Sequence, residues 1–403
     1  MKKLLFIILS AIFFSCSMED VPKEISKMEQ AGNKIQPEDA VKKACEYMNR
    51  IFPQTRGENR SAYSIISLQK VTTRSPQSNQ EYPDTLYYVI NFTDEKGFAI
   101  MGADNRLPDL LAISDTGNLN LQDTVFNKGL ASFISGYVQS DLFVPTLPGM
   151  TIQPFLFVGP PMLSSSVRKW SQREPFNKFC PTDSLGNHLS TGCTPLAVGQ
   201  IMSFFEYPNS YNDTTFNWTE IKKGTDDNGV ARLLAFLGDK NNLASNYTTK
   251  GTSTEVVNLK RTFNNFDYDF TSGAQILNKK FPYELLNSIL CLDAHPLLLY
   301  GIGSKIDIED NNKTDTVHSV HTWVADGCMT KEDKDDDGTF FKQFFIHCVW
   351  GFGGGNNGYF LYTYNGIIGG KPDDKSKDDY KYDFEGYVYN KDLSGWTDYK
   401  PRK

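Results

Sequence analysis

One place in this 403-residue chain is arranged to make a side chain nucleophilic. It is the run Ser190-Thr191-Gly192-Cys193-Thr194-Pro195-Leu196-Ala197-Val198-Gly199-Gln200-Ile201-Met202. Gly192 supports a sharp turn, and Pro195 suits a first helical turn, where its missing N–H is not needed. The spacing predicts a helix opening at Cys193, apolar on most sides and ending before Pro208. At a helix start, unpaired backbone N–H groups and the positive end of the dipole favour a thiolate over a thiol. The chemistry of such a residue is attack on a carbonyl carbon to give an acyl-enzyme. The alternative is an ordinary buried cysteine, since free Cys is among the most buried residue types.

A thiol nucleophile needs a base that takes its proton and later protonates the leaving amine, and histidine does both near neutral pH. The candidates are His188, His295, His318, His321 and His347. His321 begins the strand-like run Thr322-Trp323-Val324-Ala325-Asp326 after a polar loop, a position suited to a base on a sheet facing a nucleophile on a helix. His318, three residues earlier, is its main rival, and His347 reads as a residue packed within its own strand. An oxyanion donor is also required, and Gln172 in Trp170-Ser171-Gln172 is the best candidate beside the cysteine's own N–H. Val349-Trp350-Gly351-Phe352-Gly353-Gly354-Gly355, a Gly-rich turn after a strand, offers Trp350 as an aromatic shield for the histidine. The alternative for Trp350 is a ring that fills core.

The elements that must position these residues fall into two units. Pro37-Glu38-Asp39 through Ile51 has acids in its first turn and apolar residues at 40, 41, 44, 47, 48 and 51, an amphipathic helix. Residues 86–92 and 98–101 read as a hairpin with a charged turn, so the N-terminal half is a small α+β unit. The Pro-, Gly- and Ser-rich sequence from 147 to 166 reads as an exposed linker. Beyond it come the helix at Cys193, a weaker helical segment near 281–292, and strands at 296–301, 322–326, 341–348 and 359–362. Helix first and antiparallel sheet after is an α+β arrangement whose halves face each other across a cleft.

Composition excludes other classes. A net charge of −7 leaves no basic surface for nucleic acid, and 13% aromatic residues argue against disorder. Met1-Lys2-Lys3 followed by a short apolar run to Phe14 reads as an export signal. Ser15-Cys16 behind it resembles a lipobox, which would lipidate Cys16 and anchor the protein to a membrane, at the outer membrane or cell surface, as Glu19-Asp20 also suggests. Secretion after processing and an uncleaved anchor are the other outcomes. The seven cysteines do not read as a disulfide framework: their number is odd, and no Cys/His cluster has zinc spacing. Asp333-x-Asp335-x-Asp337-Gly338 matches the start of a calcium loop but has Phe344 at the twelfth position, so a hairpin turn is expected there. No metal and no cofactor are implied.

Several blocks together resemble streptopain-type cysteine peptidases. They are Trp170-x-Gln172-x-x-Pro175-Phe176-Asn177-x-x-Cys180-Pro181, Thr191-Gly192-Cys193, His321-x-Trp323-Val324-x-Asp326-Gly327, and His347-x-x-Trp350-Gly351-x-Gly353-Gly354 with Gly358-Tyr359-Phe360. Tyr88-Val89-x-Asn91 and Gly97-Phe98-Ala99-Ile100-x-Gly102-Ala103-Asp104 are similar to that family's inhibitory propeptide. The resemblance implies a papain-like peptidase domain, a central helix facing an antiparallel sheet, behind a small α+β prodomain. Its roles fall on Cys193 as nucleophile, His321 as base, Gln172 as oxyanion donor and Trp350 as cover. Together with the export signal over 1–16 and the linker, with its processing site over 151–168, it implies an inhibitory propeptide over 17–150 and the peptidase over 169–403. The partners would be protein or peptide substrates, the chain's own propeptide and, through the anchor, a membrane. Two departures stand out: Val349 where the family has Asn, and Thr194-Pro195-Leu196 in place of small residues. The first motivates an alternative, a catalytically silent surface lipoprotein that binds peptide or glycan in the same cleft. A transferase working through the same acyl-enzyme is a second.

Overall fold

The computed structural model describes residues 34–53, 65–72, 85–120, 127, 129–130, 133–134, 137, 155–270, 286–304, 318–334, 340–368, 382–387, 393–396 and 399–402. The leader with Cys16 and the loop residues Asp335, Asp337 and Gly338 lie outside them. The chain divides into one unit of residues 1–119 with 143–146, and a second of residues 120–142 with 147–403.

In the first unit, helix α1 (Pro37–Ile51) buries Ala40, Ala44, Cys45, Tyr47, Met48 and Ile51, the stripe its periodicity predicts. Its apolar face meets an antiparallel sheet of β1 (Ile65–Thr72), β2 (Thr85–Phe92), β3 (Phe98–Gly102) and β4 (Leu110–Ser114), paired in that order. The expected 86–92/98–101 hairpin is β2–β3.

Beyond its helical residues at 129, 130, 133, 134 and 137, the second unit continues with β5 (Phe155–Gly159) and a 3-10 turn (Val167–Lys169), so much of the stretch expected as a linker over 151–168 is regular structure. Helix α2 (Cys193–Phe205) buries every residue from Thr194 to Ser203. Such all-round burial is why its sequence is apolar on most sides. It ends at Glu206, whose left-handed conformation lets its N–H reach Met202 and Ser203 carbonyls. Two short hairpins, β6 (Ser210–Tyr211) with β7 (Thr214–Thr215) and β8 (Asn246–Thr248) with β9 (Gly251–Ser253), and three helices, α3 (Trp218–Lys223), α4 (Asp227–Gly238) and α5 (Leu259–Asn265), follow around it. Next comes β10 (Tyr268–Phe270). The helical segment expected near 281–292 is described from Leu286 and is a π turn over Ser288–Leu292.

The sheet of this unit is antiparallel. It contains β11 (Leu297–Ser304), the long β12 (His318–Lys334), β13 (Phe340–Val349), β14 (Gly358–Ile368), β15 (Tyr382–Tyr387) and β16 (Leu393–Trp396); β17 (Tyr399–Pro401) pairs with β10. The order is β15-β14-β13-β12-β11-β16, with β5 beside the second half of β12 where β11 has ended. The β12–β13 pairing extends out to Lys334 and Phe340; the hairpin turn expected over the Asp-rich stretch lies outside the described residues. Core side chains from α2, α4 and the sheet interlock: Leu196, Val198 and Ile201 with Leu233, Leu234 and Leu237, and with Leu298, Val324 and Val349.

The reading of the cysteines needs correction: Cys291 and Cys328 form a disulfide across 37 residues, tying the π turn to β12. Counting could not reveal it, because pairing depends on which strands meet. Loop-closure entropy for that separation is about 4 kcal/mol. Cys291→Ser is therefore expected to lower the thermal unfolding midpoint under non-reducing conditions, and dithiothreitol should bring the unaltered chain toward the variant's midpoint.

Candidate active site

Cys193 is the first residue of α2, and the helix is aimed by Gly192, whose φ of 87° is in the left-handed region that favours glycine. A side chain there would also meet Thr252 on β9, 3.0 Å from an added Cβ. Thr252 donates to the Ser190 carbonyl at 2.5 Å, which ties the β8–β9 hairpin to the approach to the cysteine. Across from the helix, Thr194 and Thr322 hydroxyls meet at 2.9 Å, joining α2 to β12 one residue beyond each candidate reacting group.

His321 stands fourth on β12 and is buried. Its Nε2 lies 2.9 Å from the carbonyl oxygen of Trp350. A carbonyl only accepts, so Nε2 carries the proton and Nδ1 is left with a lone pair for the thiol. Burial alone would push the half-buried Cys193 thiol up. The hydrogen bond and charge of His321, helped by the backbone and hydroxyl of Thr322, outweigh it and bring the thiol down to about 7.

The imidazole is enclosed by rings. Phe352 stacks on it at 5.4 Å between centroids, Trp323 lies nearly parallel at 6.1 Å, and Trp350 is tilted at 6.5 Å. Trp350 is itself fixed: its backbone N–H donates to Asn357 Oδ1 at 3.0 Å and its indole N–H to the Asn356 carbonyl at 2.9 Å. Asn357 in turn donates to the Arg168 carbonyl. Val349, where an amide was expected, faces the core instead; the acceptor for the imidazole is the neighbouring main-chain carbonyl.

Gln172 lies where the loop to Cys193 closes. Its carbonyl accepts from Thr191 N–H at 3.0 Å, and its Oε1 accepts from Ser190 Oγ at 3.2 Å. The carboxamide end not used in that bond is the nitrogen, a donor. The other histidines stand elsewhere. His188 bonds the Cys180 carbonyl, His295 packs among Phe204, Phe205 and Tyr399, and His347 pairs with Asp326. His318 is the first residue of β12.

Sequence reasoning missed a further segment. Among residues 120–142, Gly129, Leu130, Phe133, Ile134 and Tyr137 are helical and buried. A Cβ on Gly129 would fall 2.6 Å from the Trp350 ring and 2.7 Å from His321 Cδ2. Phe133 meets Trp350, Trp323 and Phe360 edge-on at 5.7, 6.4 and 5.8 Å. The spacing 129, 130, 133, 134, 137 is a helical stripe and was the available signal.

The chain matches two family models: Peptidase C10 family over residues 170–360 and Spi protease inhibitor over 32–140. It is 24% identical over 308 residues to Streptopain of Streptococcus pyogenes, covering 68% of this chain and 73% of that one. With the thiol protease/hemagglutinin PrtT of Porphyromonas gingivalis it shares 23% over 322 residues, which is 70% of this chain and only 34% of that longer protein. A solved fragment of Prevotella intermedia prointerpain A aligns over 81% of this chain and 98% of its own at 18% identity, with a TM-score of 0.45.

The thiolate is the reactive form, so alkylation of Cys193 by iodoacetamide should rise with pH and reach half its maximum near pH 7. In His321→Ala the burial remains without its offset, and the midpoint should move upward by more than one pH unit.

Proposed function

Because the chain belongs to the peptidase C10 family of cysteine proteases, made as a zymogen with an inhibitory region ahead of the peptidase, we propose that Cys193 and His321 are its catalytic pair. The observation that carries this reading is the single imidazole that both lowers the thiol and holds its own tautomer against Trp350. The reaction is hydrolysis of peptide bonds in proteins or peptides. His321 Nδ1 takes the thiol proton, and the sulfur attacks the scissile carbonyl carbon. The oxyanion is held by the Cys193 N–H at the start of α2 and the Gln172 amide. His321 then returns the proton to the departing amine, leaving an acyl-enzyme. In the second half, His321 takes a proton from water, the hydroxide adds to the thioester, and collapse releases the acid and the thiol. Trp350 serves twice, its ring as cover and its carbonyl as the orienting acceptor that a carboxylate or amide side chain supplies in other triads. That carbonyl removes the motive for a catalytically silent binding protein, which was the replacement of Asn by Val349.

Gly129 and Phe133 support the assignment of residues 120–142 to the inhibitory contact, since they press on the rings around His321. Activation then requires a cut that frees this segment. We put the cut before Phe155; the pairing of β5 with β12 in the peptidase sheet supports that position. Export through the 1–16 leader, with Cys16 lipidated and the enzyme held at the outer membrane or cell surface, rests on the charged n-region, the apolar run and Ser15-Cys16.

Cys193→Ala should abolish both peptide hydrolysis and self-processing; full activity in it would overturn the assignment. Mass spectrometry of the active chain should find the new N-terminus upstream of Phe155 and, on the unprocessed membrane form, a lipid-modified Cys16 at the terminus. Gly129→Ala should weaken latency, seen as faster processing and measurable epoxide labelling of Cys193 before any cut.

A further inference from the structure

Asp326 and His347 face each other across β12 and β13 with 2.5 Å between Oδ1 and Nδ1, and their side chains are 0% and 2% exposed. A buried carboxylate is costly unless donors surround it. Asp326 has them: His347 Nδ1–H on one oxygen and the backbone N–H of Leu163 on the other at 3.1 Å. Its main-chain carbonyl accepts from Met162 N–H at 2.7 Å. Tyr359 lies edge-on to the His347 ring at 4.9 Å and donates its hydroxyl to the Gly159 carbonyl at 3.0 Å. Three consecutive strands, β12, β13 and β14, therefore converge on the segment 159–163 by which the chain enters the peptidase.

The pair also sits at a break in register. Counting from the hairpin, the strands pair regularly to Gly327 with His347, but then Ala325 pairs with Cys348 and Val324 with Val349. Asp326 is the extra residue of a bulge. A ladder without it would set Val324 opposite Trp350 and turn the side chains beyond it to the other face. The Trp350 carbonyl would then lie one residue away from its place against His321.

We infer that Asp326 and His347 are positioning residues of the peptidase: their buried pair pins the bulge that brings the Trp350 carbonyl to His321, and the same carboxylate fastens the entering segment at Leu163. Neither touches the sulfur or a substrate; they act through His321. The inference rests on Cys193 and His321 being the catalytic pair.

The test uses the full-length chain, allowed to mature, with Asp326→Asn, His347→Gln and His347→Ala, and rates expressed per Cys193 titrated by a peptidyl epoxide. Asn at 326 removes the charge and one acceptor. kcat should fall roughly 10- to 100-fold with KM changed less than about 3-fold, the pattern of a lost transition-state contact. Gln at 347, which keeps an N–H donor, should recover part of what Ala loses. Variants that unfold at lower temperature yet turn over at the wild-type kcat would overturn the inference. If no variant accumulates folded, nitrogen-15 histidine spectra of the Cys193→Ala chain decide. The proton should be on Nε2 of His321 and on Nδ1 of His347, and an Nε2–H tautomer at His347 would overturn the pairing. A wild-type chain that neither cleaves peptide nor takes up epoxide would instead sink the peptidase roles, a distinguishable failure.

Discussion

The site depends on how the two nitrogens of one imidazole are divided. With Nε2 committed to the Trp350 carbonyl at 2.9 Å, the ring has one tautomer and one orientation, and Nδ1 is left with a lone pair. Everything nearby serves that division. The rings of Phe352, Trp323 and Trp350 restrict the imidazole's rotation, and Asn357 fixes the peptide that ends in the accepting carbonyl. The helix start holds the sulfur, and the Thr194–Thr322 contact keeps helix and strand from sliding. Low dielectric strengthens each of these interactions, so the same enclosure that would raise an isolated thiol gives the imidazole its leverage over Cys193.

The same enclosure is where Gly129 and Phe133 pack. Aromatic faces attract other rings edge-on, and Phe133 uses three of them at once. Gly129 permits a close approach: without a Cβ, the backbone of the segment lies directly against His321 and Trp350. The contact is made at His321 Cδ2, beside the nitrogen that bonds Trp350, and at the Trp350 ring itself.

Much of this was legible in the order of residues. The helix at Cys193 declared itself by Gly192, Pro195 and an unbroken apolar run, and α1 by its stripe, because each is a local pattern with a period. A strand pattern does not separate His321 from His318, since both lie on β12; the feature particular to His321 is its contact with the Trp350 carbonyl. What failed were the features set by register and by distant pairing. Val349 looked like a missing amide because side chains can be read from sequence and main-chain acceptors cannot. His347 was read as packing within its strand; its partner lies on the adjacent strand, across a bulge that no periodicity announces. The Cys291–Cys328 bridge was hidden for the same reason. The ordered entry at 155–169 was hidden by Pro, Gly and Ser, which signal exposure when they also serve an irregular but anchored path.

The distribution of sulfur has a consequence for how the chain oxidises as it folds. Among the described cysteines, Cys180 and Cys348 are buried outside any disulfide, and burial drives the Cys180 thiol to about 11 and that of Cys348 well above its ordinary value. Thiol–disulfide exchange proceeds through thiolates with access to a partner, so these two are poor participants. Of the free thiols described, Cys193, brought down to about 7, is the most competent attacker. Among the described cysteines the fold thereby sorts sulfur into one bridge, buried groups held as thiols, and one thiol poised near neutrality.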